Sequence, residues 1–455
     1  MPLRMTVSFR RIHQRCSMAR NALDTSLDWC GISAIMSILP STTVGGVNLM
    51  RNPPSVDAGL SRLRVAIVHY WFVGRSGGER VVESLAEIFP QADLFCLVVD
   101  RSTLSPILQT RKLQTSFLQH VPGATKFHRH FLFLQPLALE QFDLSNYDLV
   151  ISSESGPAKG VITSSRTCHV CYCHSPMRYI WEMYPQYRRS MGLLVGFVFS
   201  LTAHYMRLWD HASASRVDYF VANSRFIASR ILKYYGRDST VIHPPVEVTA
   251  GRITGQRGDY YIAIGRLVDY KRFDLAIAAC TKLARPLKII GVGPQERALR
   301  RMAGPTVEFL GGVGDDELRQ HLAGCRALLF PGEEDFGIVP VEAQSFGKPV
   351  IAYASGGVME TVRGISPNSP QPENPTGVFF KEQSVSDLTA AMLGFESIEH
   401  EFRPETIREH SLQFDSAIFK QRISEFIASS LRDFRTRNQA DNRGAEEVLG
   451  ISARA

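Results

Sequence analysis

The chain has 455 residues, 44% hydrophobic and 21% charged, enough apolar side chains for two or three packed domains and too many for a disordered polymer. A formal net charge of +7 suits an anionic partner without choosing among nucleotide, phosphate, acidic lipid and nucleic acid. Mean hydropathy is -0.06, and no apolar run reaches the roughly 18 residues of a membrane-spanning helix; eight scattered cysteines are too few for a disulfide scaffold and suit reduced, cytosolic thiols.

Residues 1–62 stand apart. Arg4, Arg10, Arg11, Arg15 and Arg20 precede the first acid, Asp24, and a short apolar stretch runs from Ile32 to Leu39. A signal peptide would set its apolar core directly after the charges and end in small residues. The segment is therefore expected to be a basic, poorly ordered extension, with Met50 an alternative start. Order is expected from Arg64, where RVAIVHYW (64–71) reads as a buried strand. Gly77 and Gly78 close the following loop, and ERVVESLAEIF has helical spacing. Further strands are expected at 92–99, 147–153, 169–175 and 218–224, with helices between most of them. Strand–helix alternation of this kind predicts a doubly wound parallel sheet.

A polar, Gly-rich stretch at 249–258 interrupts the alternation, which then restarts. Strands are expected at 260–267, 287–293, 307–312, 326–332, 349–355 and 377–380. Helices are expected at 272–283 and at 294–302, the latter opened by Pro294, and again in DELRQHLAGC, VPVEAQSFG and SVSDLTAAML. This divides the chain into an extension (1–62), a first Rossmann-like domain (63–247), a second (248–405), a helix at 406–434 crossing back to the first, and a polar, frayed tail (435–455).

The strongest chemical signal is EEDFGIVPVEAQSFG (333–347). Glu334 follows an apolar strand, at the carboxyl edge where open α/β sheets bind ligands. Gly337 allows close backbone approach. Glu342, eight residues on, lies one turn into a helix, and a carboxylate there matches the two hydroxyls of a ribose. A solvated acidic loop with a surface glutamate has the same spacing. The second signal is GRLVDYKRF (265–273), where Arg266 and Lys271 sit on a strand-end loop. A guanidinium and an ammonium there suit a diphosphate; ordinary helix-start solvation is the alternative, though cations at a helix N-terminus oppose its dipole.

His174, in CYCHSPMRYIW (171–181), also follows a strand and would reach a substrate hydroxyl unless it is structural. Cys168, Cys171, Cys173 and His174 lie along one extended strand, whose alternate side chains face opposite ways, and no second Cys/His cluster completes a set, so no metal site is expected. Gly77 and Gly78 would present amides to a phosphate or an acceptor, or simply form a turn. Gly291-Val-Gly293 lacks the third glycine of a dinucleotide fingerprint, with Glu at 296. MGLLVGFVFSLTAHYMRLW (191–209), with Arg188, Arg189 and Arg207, would lie at an anionic membrane surface or pack as a core helix. No zinc-finger or RNP-like motif is present, so nucleic acid is not expected as a partner.

Together these residues resemble glycosyltransferase family 4 over about 64–430. The Glu334-x7-Glu342 spacing with Phe336-Gly337 inside it is the most specific part, and Gly265-Arg266…Lys271 sits at the family's upstream position. YDLVISSESGPAKGV and CYCHSPMRYIW are similar to mannosyltransferases of bacterial surface-polysaccharide assembly. The resemblance implies a GT-B fold, two Rossmann-like doubly wound domains facing a cleft, and retention of anomeric configuration. It implies GDP-mannose as donor, a polyprenyl-diphosphate-linked or other glycan acceptor, no cofactor and no essential metal. By it, Arg266 and Lys271 hold the diphosphate and Glu342 the ribose. Glu334 and the backbone of Phe336, Gly337 and Ile338 hold the sugar. His174 faces it from the other domain, and Gly77 and Gly78 line the acceptor side. Asp335 departs from the family, which commonly has Gly there. The resemblance places the protein in the cytoplasm, peripheral on the inner face of the cytoplasmic membrane. A UDP-sugar transferase of the same fold, an NAD-dependent oxidoreductase and a non-catalytic binding protein are the rival readings.

Overall fold

A computed structural model describes residues 60–448 apart from 75–76, 256–257 and 367–369, with side chains through Gln439. The basic segment 1–59 and the alternative start at Met50 therefore lie outside the described residues. Regular structure is already present a few residues before Arg64. Leu60–Arg62 form a helical turn, with Leu60 and Leu63 buried in the first core and Gln91 donating to the Leu60 carbonyl at 3.0 Å.

The chain folds into two parallel sheets. The first contains β1 (Val65–Phe72), β2 (Asp93–Val99), β3 (Leu113–Thr115), β4 (Leu149–Glu154), β5 (Cys168–Cys173), β6 (Tyr219–Ala222) and β7 (Ser239–Val241), in the order β3-β2-β1-β4-β5-β6-β7. The second contains β8 (Tyr261–Ile264), β9 (Leu287–Ile290), β10 (Val307–Gly311), β11 (Ala327–Phe330), β12 (Val350–Tyr353), β13 (Gly364–Ile365) and β14 (Gly377–Phe380), in the order β10-β9-β8-β11-β12-β14-β13. Central strands such as Ala66-Ile67-Val68 and Leu328-Leu329 are buried on both faces, so they read as continuous apolar runs. The order reverses between β1 and β4 in the first sheet and between β8 and β11 in the second, where β13 also lies outside β14 at the edge. A crevice opens at such a switch point, at the carboxyl ends of the strands.

The sequence missed β3, β7 and β13. Each has two or three residues and lies at a sheet edge, too short for a periodicity to show. Pro294 precedes its helix, which runs Glu296–Met302, because Pro294 falls in the turn after β9. The C-terminal segment also differs. Residues 404–411 form a helix of the second unit, with Ile407 in that unit's core. A separate helix, Ser416–Val448, then crosses back. Its apolar residues at helical spacing, Phe419, Ile423, Ile427 and Leu431, enter the core beneath the first sheet, and Lys420 pairs with Glu87. That helix continues to Val448 where a frayed tail was expected from 435. Phe434 is still buried, and Asp433 pairs with Arg437 one turn on at 3.4 Å.

A buried ion network props up the first switch point. Lys159 is fully buried between Glu154, at 3.1 Å, and Asp210. Asp210 also accepts from Trp181 Nε1 at 2.7 Å and Tyr235 Oη at 3.0 Å. These bonds tie the end of β4 to the helices Leu193–Ser213 and Arg225–Tyr235, and they satisfy a charge that would be costly alone.

Candidate active site

The carboxyl ends of the two sheets face a cavity of about 1030 Å³. That exceeds the upper end of the roughly 300–1,000 Å³ usual for small-ligand sites. Its far wall is built on the β8 and β11 loops. Gly265, at φ +141°, leaves room for the Lys271 side chain, since a Cβ there would lie 2.7 Å from Nζ. Lys271 Nζ pairs with Glu334 Oε1 at 2.5 Å. Burial works against the Lys271 charge, but the Glu334 carboxylate outweighs it and raises the ammonium's pKa, so Lys271 is a fixed cation. Gly337, at φ +85°, sits left-handed at the start of the helix Ile338–Ser345 and turns the chain so that this helix begins at the cavity. Glu342 lies in that helix and lines the cavity.

Phe336 lines the cavity as well, yet its ring packs between His243 at 5.3 Å and Phe414 at 5.7 Å. It anchors the loop and offers its backbone rather than its ring. Arg266 is exposed and is not among the cavity-lining residues, so in this conformation it does not join Lys271.

The near wall comes from the first sheet. Gly77 and Gly78 open the helix Gly77–Ile88. A Cβ on Gly77 would lie 2.5 Å from Ile338 Cδ1, so this glycine lets the two units meet. A Cβ on Gly78 would reach Tyr70 Oη at 3.4 Å and His174 Nε2 at 3.6 Å. His174 Nε2 hydrogen-bonds Ser153 Oγ at 2.9 Å, and that hydroxyl also lies 3.2 Å from His69 Nδ1. Burial, with the nearby His69 adding to it, pushes the His174 pKa down to about 3; burial does the same to His69. His174 is therefore a neutral imidazole at neutral pH, and it contributes a hydrogen bond rather than a charge.

Residues that sequence reasoning passed over tie the walls together. Arg80 Nη1 pairs with Glu342 Oε1 at 2.8 Å. Arg178 pairs with Asp335 and lies over the Tyr270 ring. Arg230 Nη1 reaches the same Asp335 carboxylate at 2.9 Å, and Ser224 Oγ donates to the Asp335 carbonyl at 2.5 Å. Burial raises the Asp335 pKa despite both guanidiniums, while the Asp335 carboxylate overcomes burial and raises that of Arg178. Arg178 stands four residues after His174 in the quoted strand-end motif, a signal that could have found it. Arg80 looked like any helix-surface arginine.

The cysteines of β5 are buried, and among the described residues no group of three or more His, Cys, Asp or Glu side chains is placed to hold a metal ion.

Two family models match the chain. Residues 75–250 match the model described as Glycosyltransferase Family 4, and residues 254–410 match Glycosyl transferases group 1. Among curated relatives, the GDP-mannose-dependent alpha-(1-6)-phosphatidylinositol monomannoside mannosyltransferase of Mycobacterium tuberculosis is 33% identical over 149 residues, 29% of this chain and 36% of that protein. The O-antigen chain mannosyltransferase C of Escherichia coli is 31% identical over 171 residues, 33% of this chain and 46% of that protein. The chain thus spans between a third and a half of these relatives' length. Among solved structures, Anabaena HepE in complex with UDP superposes with a TM-score of 0.59 at 16% identity, over 81% of this chain and 100% of that one. At that identity the likeness carries the fold alone.

Proposed function

The chain belongs to glycosyltransferase family 4 and has the GT-B fold, and on that premise we propose that it is a retaining transferase that moves mannose from GDP-mannose to a glycan acceptor. The acceptor would be borne on a polyprenyl diphosphate at the inner face of the cytoplasmic membrane, and the product would belong to a cell-surface or exported polysaccharide. The observation that carries the transferase reading is the pairing of Lys271 with Glu334 on the cavity wall that also holds Glu342.

In this reading the donor lies along the second unit. Its diphosphate takes the place beside Lys271, where negative charge builds as the glycosidic bond to the nucleotide breaks. A fixed ammonium there stabilises the transition state more than the ground state. Each charge-assisted hydrogen bond of this kind contributes roughly 1.5–3 kcal/mol. Arg266 would swing inward from its exposed position to share the diphosphate. Glu342 exchanges Arg80 for the ribose hydroxyls. Glu334 and the backbone of residues 336–338 hold the hexose. Neutral His174 faces the hexose from the first unit, its ring held by Ser153. The cross-unit pairs of Asp335 keep the cavity closed, which limits hydrolysis of the donor by water. No essential metal and no cofactor enter this scheme. The support for mannose is that both relatives described above are mannosyltransferases, the mycobacterial one dependent on GDP-mannose.

Thermal melts with GDP, UDP, ADP and NAD test the donor. A ligand at 100 times its Kd stabilises by about 2.7 kcal/mol. GDP is expected to raise Tm selectively. A UDP preference would keep the transferase and discard mannose. A response to NAD alone would reject the reading.

A further inference from the structure

The helix Leu193–Ser213 is turned the wrong way round for a packed helix. Its small and polar residues Gly196, Ala203 and Asp210 are buried. Met206 is buried with them, but most of the large apolar residues face out: Leu194 is 78% exposed, and Phe197, Val198, Leu201 and Leu208 continue the stripe at helical spacing. A second element extends this face. Phe127, Phe133 and Leu137 are also exposed, and the Phe133 ring meets Tyr205 of the helix at 4.8 Å. Single exposed apolar residues need no explanation, but a contiguous face of this size does.

The charge on this face has one sign. Lys126, Arg129 and Arg189 are exposed beside it, and neither 101–139 nor 183–209 contains an Asp or Glu. Two copies of the chain meeting here would bring identical cations together with no acid in either segment to pair them. An anionic bilayer satisfies both features, taking the apolar stripe among its acyl chains and the cations among its head groups. Among the described residues no helix is long and apolar enough to cross a membrane, so the helix would lie in the surface plane. Directly before it, the helix Tyr184–Arg189 links the face to the cavity, since Met183 and Tyr187 line the cavity and Arg188 and Arg189 flank the stripe.

We propose that helix 193–213 and residues 126–137 form one docking face for anionic membrane, and that a lipid-borne acceptor reaches the cavity past Met183 and Tyr187. The second clause rests on the transferase reading above; the first does not.

The test is flotation of the full chain with vesicles of phosphatidylcholine alone or mixed with phosphatidylglycerol. Wild type should float with the mixed vesicles. The double variant Leu194→Ser/Phe197→Ser, and separately Phe133→Ser, should each lower partitioning, the double variant at least about tenfold. Arg129→Gln/Arg189→Gln should abolish the preference for phosphatidylglycerol. A cooperative melt shows that each variant is folded, and its shift with GDP reports on the donor site separately. Equal flotation of folded variants would overturn the docking face. So would wild type that ignores vesicles but forms a dimer which the double variant loses. Loss of flotation in a chain whose melts ignore GDP would support the face and count against the donor assignment. For the acceptor route, Tyr187→Ala should lose transfer to a membrane-borne acceptor while keeping its GDP shift, and unchanged transfer would overturn that clause.

Discussion

Lys271 and Glu334 are the residues on which the proposed chemistry turns, and the ion pair between them shows why a strand-end lysine and a loop carboxylate occur together. Unpaired, the Lys271 ammonium would be disfavoured by burial; beside Glu334 its charge is held in place before any donor arrives. Preorganised charge of this kind contributes on the order of 10²–10³ in kcat when a single donor is removed. Lys271→Ala should therefore lower kcat for transfer by that order in steady-state assays while leaving the fold intact, and an unchanged kcat would remove Lys271 from the mechanism. Much of this site was legible. Glu334, Gly337, Glu342, Lys271 and His174 all stand on the cavity wall, because the carboxyl ends of parallel strands are where such loops must fall. Arg178 and Arg80 were not legible. Their partners lie 157 and 262 positions away, and no local spacing encodes a pairing between units.

At the scale of elements, the loop Glu333–Gly337 is held from two directions. Phe336 packs into the apolar cluster of Val246 and Phe414, and the Asp335 carboxylate receives Arg178 and Arg230 from the first unit. The residue that departs from the family pattern is thus one of those that fasten the two units together. Asp335→Asn keeps the shape and removes the charge. It should raise KM for the donor several-fold, by weakening the closed arrangement, and leave the chain folded. A kcat/KM equal to wild type would show that these ion pairs do not govern closure. Central strands and the helices between them were legible because both faces are buried and the apolar runs are unbroken. The short edge strands β3 and β7 were not, since three residues, none of them buried, carry no pattern. The long final helix was misjudged for a different reason. Its polar residues face solvent, and the buried stripe that ties it to the first core runs only to Phe434, with the Asp433–Arg437 pair spanning the turn beyond.

At the scale of the molecule, several imidazoles are locked neutral in the interior. Burial lowers His69 and His174 to about 3 and His169 to about 4, from an ordinary value near 6.5. The unfolded chain takes up these protons first, so the stability they contribute is complete above about pH 6.5 and is lost as pH falls towards 3–4. Each costs roughly 2 kcal/mol by pH 5. Tm should fall steeply between pH 6.5 and 5, and a flat profile to pH 4.5 would contradict the burial of these rings as neutral species. In the proposed function the whole architecture, two switch-point crevices facing across one cavity, serves the transfer of a nucleotide-bound sugar. The most direct measurement of that claim is the transfer of labelled mannose from GDP-mannose by the purified chain to the lipid extract of cells lacking it. The account predicts label in the lipid fraction, dependent on Lys271 and absent with UDP-glucose as donor. Label from UDP-glucose and none from GDP-mannose would contradict the donor, and label from neither would contradict the transferase itself.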